Sequence, residues 1–481
     1  MLAVLPVFIA ATLAAMQPPK NGPSPDTLAD ILNPTPYTSV TIRDVHIRGN
    51  KRTKNAVILR EIDFSIGDTI PLEQLADRLS QNRNNLLNTG LFLSADISFR
   101  EWQGATGRIA LEISVVESWY IYPYPILELA DRNFNVWWET YARSLRRLNM
   151  GVRFYHQNLS GRRDQLKLLV QYGFTRKREV IYTLPFFNRH RTLGMNINFL
   201  HTQEKEIGYN TRNNELLFRR DNDKVLLKRL RVGAGLLFRP QLHYFHRWDL
   251  TWHDNLIDRS IQDTWNPNFF LAGLRQRYLA FQYHFTIDKR DVRPYPMRGY
   301  RFATSLHVMG FGQTHDLRSR YLSAEHQRYR RLSDRTSIGL DLKARVALAR
   351  QQQPYYNSTA LGYFLDFIRG YELYVIDGLD YAFAKTNLRI RLAESLVQPP
   401  RWFRSDRIRN IPMKLFLSLH HETAYVNNPH YGETNGLANS LLTGITLGCD
   451  LILHYDRVFH FEFSRNHLNE YGFFLHWATR F

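Results

Sequence analysis

The sequence predicts a mainly β protein: an antiparallel transmembrane β-barrel of about 16 strands, preceded by one small α+β domain. Three observations lead there. The chain is polar on average, with a mean hydropathy of -0.39, yet it carries 30 Phe, 26 Tyr and 9 Trp in 481 residues. That is the balance expected of strands with alternate faces toward lipid and lumen and aromatic girdles at both interfaces. A helical membrane protein needs runs of roughly 20 apolar residues, and the one long apolar run here is residues 2–16. The third observation is a series of alternating segments that fills the second part of the chain.

Taken in order, residues 1–16 read as a secretory signal peptide, with Ala14 and Ala15 framing a cleavage site. No basic residue precedes the apolar core, the first lysine being Lys20. Residues 17–37, with Pro18, Pro19 and Pro23, read as a linker.

Residues 38–118 read as the α+β unit, in the order β-α-α-β-β. Val40 and Ile42, then Val45 and Ile47, give a strand with a parity switch that suggests a bulge. A short helix is expected at about residues 53–62. Pro71 suits the first turn of a second helix, in which Leu72, Leu75, Ala76, Leu79, Leu86 and Leu87 share one face. Gly90 can close it in the left-handed conformation. Leu93, Ala95, Ile97 and Phe99, then Ile109, Leu111, Ile113 and Val115, mark two final strands.

Residues 119–481 read as the barrel. Leu279, Phe281, Tyr283, Phe285 and Ile287 alternate with polar neighbours, as do Ile338, Leu340, Leu342 and Val346. Phe459, Phe461 and Phe463 alternate with His460, Glu462 and Ser464, and the last run places Phe473, Leu475, Trp477 and the terminal Phe481 on one face. At about 9–11 residues per membrane strand, the length suits about 16 strands; 14 or 18 also fit.

Charge divides along the same boundary. The chain has 63 Lys+Arg and 44 Asp+Glu, a net +19, but the first 117 residues hold only 11 basic and 12 acidic residues. The whole positive excess therefore belongs to the barrel. It can attract anionic lipid head groups or acidic client segments; the plainer reading is a lumen and loops lined with arginine. Nucleic acid is excluded as a partner for an exported chain. The single cysteine, Cys449, permits no intramolecular disulfide and reads as a packed small residue.

Several details carry a family resemblance. In the first unit, Gly49-Asn50, Thr53, Gly67-Asp68, Gly90-Leu91-Phe92 and Val116-Glu117 resemble a POTRA domain. In the second, Asp288, Lys289, Arg290 and Asp291, followed by Pro294, Pro296 and Gly299, resemble the D-x-R-D…P-x-x-G stretch of BamA/TamA-type barrels. Ile368, Arg369, Gly370 and Tyr371 resemble their (V/I)-R-G-(F/Y) loop tip, and the terminal Phe481 resembles the signal by which such barrels are assembled. The resemblance implies a loop folded back into the lumen, with its arginine paired to an acidic residue on a nearby strand. Glu422 shares an inward face with Phe416, Ser418 and His420, so the expected pair is Arg369–Glu422. An unpaired charge in a confined lumen would be costly. Three positions depart from the family pattern: Glu422 for Asp, Ala424 for Gly, and Arg389 where an inward Glu is common.

The resemblance further implies a bacterial outer-membrane protein with its first domain in the periplasm, assisting insertion or translocation of other proteins. Its partners would be outer-membrane lipids, including anionic lipopolysaccharide, unfolded barrel or secreted clients bound through the POTRA-like domain, and periplasmic or lipoprotein subunits. A single such domain points to a specialised member rather than the general assembly factor. The alternatives are a passive pore and a structural subunit of an envelope complex.

No enzymatic chemistry, cofactor or metal is expected. There is no G-x-S-x-G elbow and no Gly-rich phosphate loop. His420, His421, Glu422 and His430 lack the H-E-x-x-H spacing, and adjacent strand residues point to opposite faces.

Overall fold

The computed structural model describes residues 38–103, 107–129, 148–311, 316–363, 366–398, 411–453 and 457–478. The expected signal peptide and linker, and Phe481, lie outside these residues.

The first unit is a four-stranded sheet with two helices on one face. Its elements are β1 (Ser39–Arg48), α1 (Asn55–Arg60), β2 (Thr69–Pro71), α2 (Leu72–Leu87), β3 (Phe92–Gln103) and β4 (Arg108–Glu117), with sheet order β2-β1-β4-β3. β1 runs parallel to β4, and the register shifts between Ile42 and Asp44, where the sequence changes parity. The core joins Val40, Ile42, Val57, Ile58, Leu75, Leu86, Ile109, Leu111 and Ile113. Three details differ from the sequence expectation. α1 is shorter at both ends than residues 53–62. β2, only three residues long, is too short to leave a periodic signal. Phe99 is 48% exposed, because β3 runs past the edge of the core and shifts register between Phe99 and Glu101. α2 is capped by Asn88, and Gly90 takes φ +77° two residues on, turning the chain into β3.

The second unit is a sixteen-stranded antiparallel sheet, its strands neighbours in chain order. These are β5 (Ile121–Leu129), β6 (Leu148–His156), β7 (Gln165–Gly173), β8 (Thr175–Leu184), β9 (Leu193–Glu204), β12 (Leu227–Phe238), β13 (Tyr244–Ile257), β14 (Arg275–Asp288), β15 (Gly299–Met309), β16 (Ser319–Arg331), β17 (Thr336–Ala347), β20 (Asp380–Val397), β21 (Ile411–Asn427), β22 (Leu441–Leu453), β23 (Arg457–Asn466) and β24 (Tyr471–Ala478). A hairpin of β10 (Glu206–Arg212) and β11 (Glu215–Arg220) rises from one end, the end away from the first unit. The long connection after β17 carries β18 (Thr359–Leu361) and β19 (Ile376–Asp377).

Alternation sorts the faces. Leu236, Leu250, Leu322, Leu342, Leu417, Leu419, Ile445, Leu447, Phe463, Phe473 and Leu475 are all exposed. Their strand neighbours Asp249, Ser418, His420, Glu422, Glu462 and Ser464 are buried on the inner side. In water this apolar belt would far exceed the patches soluble monomers show; facing lipid, it is what a membrane barrel requires. No helix among the described residues is long and apolar enough to cross a membrane.

The sheet is uneven. β20 and β21, with 18 and 17 residues, are its longest strands. Among the described residues, no ladder joins the first and last strands.

Candidate functional site

Between β17 and β20, residues 366–379 fold into the lumen and bring Arg369 to the inner wall. Its backbone N–H donates to Glu422 Oε2 (3.0 Å), its Nη1 donates to Glu422 Oε1, and its Nε donates to Glu462 Oε1 (2.9 Å). Glu422 comes from β21 and Glu462 from β23, both essentially without solvent exposure. One guanidinium fork thus spans two strands, with the directional match that arginine offers carboxylates. Lys385 of β20 adds a second cation: its Nζ donates to Phe367 O (2.6 Å) and lies 3.7 Å from Glu422 Oε2.

The residues beside Arg369 make this approach feasible. Gly370 has φ +85°, a conformation that favours glycine. Its carbonyl accepts from Asn466 Nδ2 (2.9 Å). A side chain at Gly444 would place its Cβ 2.4 Å from the Arg369 carbonyl, so the loop rests against bare backbone. Tyr371 is buried, donating to Thr443 O (3.0 Å) and packing with Ile368, Phe383, Ala424, Val426 and Leu442. Ala424, one departure from the family pattern, is thus part of the loop's apolar seat.

A second segment enters from the opposite end. Asp288, Asp291 and Gly299 frame the turn between β14 and β15. Asp288 accepts from Arg290 Nε (2.9 Å) and is paired with Arg293 (3.0 Å). Asp291 Oδ1 accepts from Val292 N (2.8 Å) and Met297 N (3.1 Å), which curls the turn. Gly299 has φ +104°, and a Cβ there would meet the Lys289 carbonyl at 2.1 Å. The curl carries Tyr295 into the barrel, where its hydroxyl donates to Asp450 Oδ2 (2.6 Å) and its ring packs on Phe416. Arg389, the third departure, serves this turn rather than the loop: it donates to Pro296 O (2.8 Å) and lies 4.2 Å over the Tyr295 ring.

The first unit is docked beneath this end. Glu61 accepts from Arg239 at 2.6 and 2.8 Å and from Arg163 at 3.0 Å, both on turns between barrel strands. Burial pushes the Glu61 carboxyl up, but the charge and hydrogen bonds of Arg239, then Arg163 and Arg60, hold it well below the usual carboxylate range. Asn88 joins the same turn as Tyr295, donating to Asp291 O (3.0 Å) and accepting from Arg293 N (2.9 Å).

With this geometry described, comparison with known proteins becomes informative. Residues 40–118 match the POTRA family, described as surface antigen variable number repeat. The whole chain is similar in structure to BamA from Haemophilus ducreyi lacking POTRA domains 1-3, at TM-score 0.50 and 12% identity, covering 92% of this chain and 84% of that one. It is similar to CdiB from Escherichia coli at TM-score 0.52 and 10% identity, covering 91% and 75%. The chain has a POTRA domain followed by a barrel, the fold it shares with these two solved structures. No curated protein matches it closely enough in sequence to count as a relative.

Within this fold, the sequence-derived residues sort plainly. Arg369, Gly370, Tyr371 and Glu422 converge on one wall of the lumen. Asp288, Asp291 and Gly299 are brought together elsewhere, in the turn beneath it. Trp477 lies in β24, paired in register with Phe459. His420 and Glu422 face inward while His421 is exposed, and His430 stands on a distant loop beside the Arg350 carbonyl. Sequence reasoning did not single out Glu462, Lys385, Tyr295, Glu61 or Arg239. For Glu462 a signal existed, since its parity opposite Phe459, Phe461 and Phe463 places it inside.

Proposed function

We propose that this chain resides in the bacterial outer membrane, with the POTRA domain in the periplasm, and helps insert proteins into that membrane or translocate them across it. It makes and breaks no covalent bond. The observation that carries this reading is the pairing of a filled lumen with an unladdered seam. The loop held at Arg369 and the turn carrying Tyr295 occupy the lumen from its two ends, which argues against a passive pore. Among the described residues, β5 and β24 share no ladder. A junction without a ladder among the described residues is a place where incoming strands can be templated, so the seam offers clients a lateral route. The POTRA sheet adds a second edge at β3, where an extended segment of a client or of a periplasmic or lipoprotein partner can pair.

Quantitative proteomics of the outer membrane after depletion tests this reading. Selective loss of one or a few surface proteins is expected. An unchanged outer-membrane proteome sinks it and leaves a structural subunit, recognisable by a fixed set of co-purifying partners. High, steady single-channel conductance of the pure protein would instead restore the pore.

A further inference from the structure

The charges around Arg369 do not balance. Glu372, Glu422 and Glu462 supply three carboxylates, while Arg369 and Lys385 supply two cations. Hydrogen bonding shows where the unmet charge lies. Glu462 uses Oε1 for Arg369, and Glu372 uses Oε2 for the Gly370 N–H at 2.7 Å. Their other oxygens, Glu462 Oε2 and Glu372 Oε1, are buried without a hydrogen-bond partner, and so is His476 Nε2. These three atoms converge, with His476 Nε2 lying 3.4 Å from Glu462 Oε2 and 3.6 Å from Glu372 Oε1. All three lie within 4.8 Å of one another. Glu462, which aims its free oxygen into this space, has a side chain with 0% exposure.

We infer that Glu372, Glu462 and His476 form a binding site for a divalent transition-metal ion of the zinc type. One imidazole and two carboxylates are donors that such ions accept, with bonds of about 2.0–2.2 Å. Ligands at that distance in a tetrahedron stand roughly 3.4 Å apart, close to the separations of His476 from the two oxygens. Three protein ligands leave a fourth position for water. The ring of His476 is already oriented, stacked on Phe367 at 5.1 Å between centroids. A neighbouring group, Asp450 with His460, is a poorer site: its shortest approach is a made hydrogen bond of 2.8 Å, and Tyr295 takes the other carboxylate oxygen.

The three ligands belong to three elements: Glu372 to the lumen loop, Glu462 to β23 and His476 to β24. A bound ion ties the loop to the last strand of the sheet, one side of the seam. The competing arrangement is a protonated His476 bridging the two carboxylates with no metal, and the experiment separates the two.

The test uses the full chain in detergent, stripped with a chelator and titrated calorimetrically with Zn²⁺ alone. One ion per chain is expected, and Glu372→Gln and His476→Gln should each weaken binding at least tenfold. His421→Gln, on the outer face, should leave it unchanged. Hydrogen exchange over residues 471–478 should slow when Zn²⁺ is bound to the native chain and not in either variant. The two substitutions lie on different elements, so a folding defect in one leaves the other to decide. Absence of stoichiometric Zn²⁺ binding by the native chain overturns the proposal, as does undiminished binding by both variants.

Discussion

The lumen lock and the POTRA junction are both buried ion clusters, and their charges are inverted. In the lumen, Arg369 is gripped by Glu422 and Glu462. At the junction, Glu61 is gripped by Arg239 and Arg163, with Arg60 close by. The lumen therefore carries surplus carboxylate and the junction surplus guanidinium. Surplus carboxylate can recruit a cation, so the lumen cluster has a means of adjustment. At the junction Glu61 is the carboxylate that gathers the arginines, while Asn88 and Arg52 add hydrogen bonds to barrel turns.

Perturbing each cluster in turn sharpens this contrast, and the largest effect is expected at Arg369. Arg369→Leu strands two fully buried carboxylates, and each broken buried pair costs about 3–5 kcal/mol. The loop should leave the wall, seen as a lower unfolding temperature and a rise in single-channel conductance. Glu61→Leu should cost about 3–5 kcal/mol at the junction, seen as a lower unfolding temperature and faster hydrogen exchange around Arg163 and Arg239. Adding Arg239→Leu should recover part of that loss, because fewer buried charges then lack a partner.

The same junction gives a pH prediction. The folded pKa of Glu61 is depressed, so its stabilisation is complete above the unfolded value of about 4.3 and is lost only as pH falls through the lower folded value. A distance probe between domains should read the same from pH 8 to pH 5 and change only in strong acid.

Tyr295→Phe comes next. It removes one hydrogen bond to Asp450 while His460 keeps the other oxygen, a loss of about 1.5–3 kcal/mol in thermal unfolding. The smallest effect belongs to Arg43→Ala, whose pair with Glu101 is a half-exposed surface contact. No more than roughly 0.5 kcal/mol is expected there, and a larger change would mean that β3 relies on that pair for its register.

The two clusters were also unequally legible. Arg369 and Glu422 were readable because a short motif names one and strand parity orients the other. Glu462 was readable as an inward residue but not as a partner, since parity gives a face and not a depth along the strand. Glu61 and Arg239 lie 178 positions apart, at the end of a helix and in a turn that share no period or motif. Arg389 was recognised as out of pattern, yet its purpose depends on Tyr295. That side chain reaches the lumen only because Asp291, Gly299 and the docked Asn88 bend its turn inward.

Sequence by itself determined what is local and periodic. A period of two assigns each strand residue to lipid or lumen, the helical stripe and turn residues mark the α+β unit, and the charge count separates the two. Tertiary structure decided the strand number among 14, 16 and 18, the absence of a ladder between β5 and β24 in the described residues, and which buried charges meet. The reason is physical. Face and propensity are properties of neighbouring residues, whereas the cost of a buried charge is settled by whichever distant group the tertiary fold places beside it.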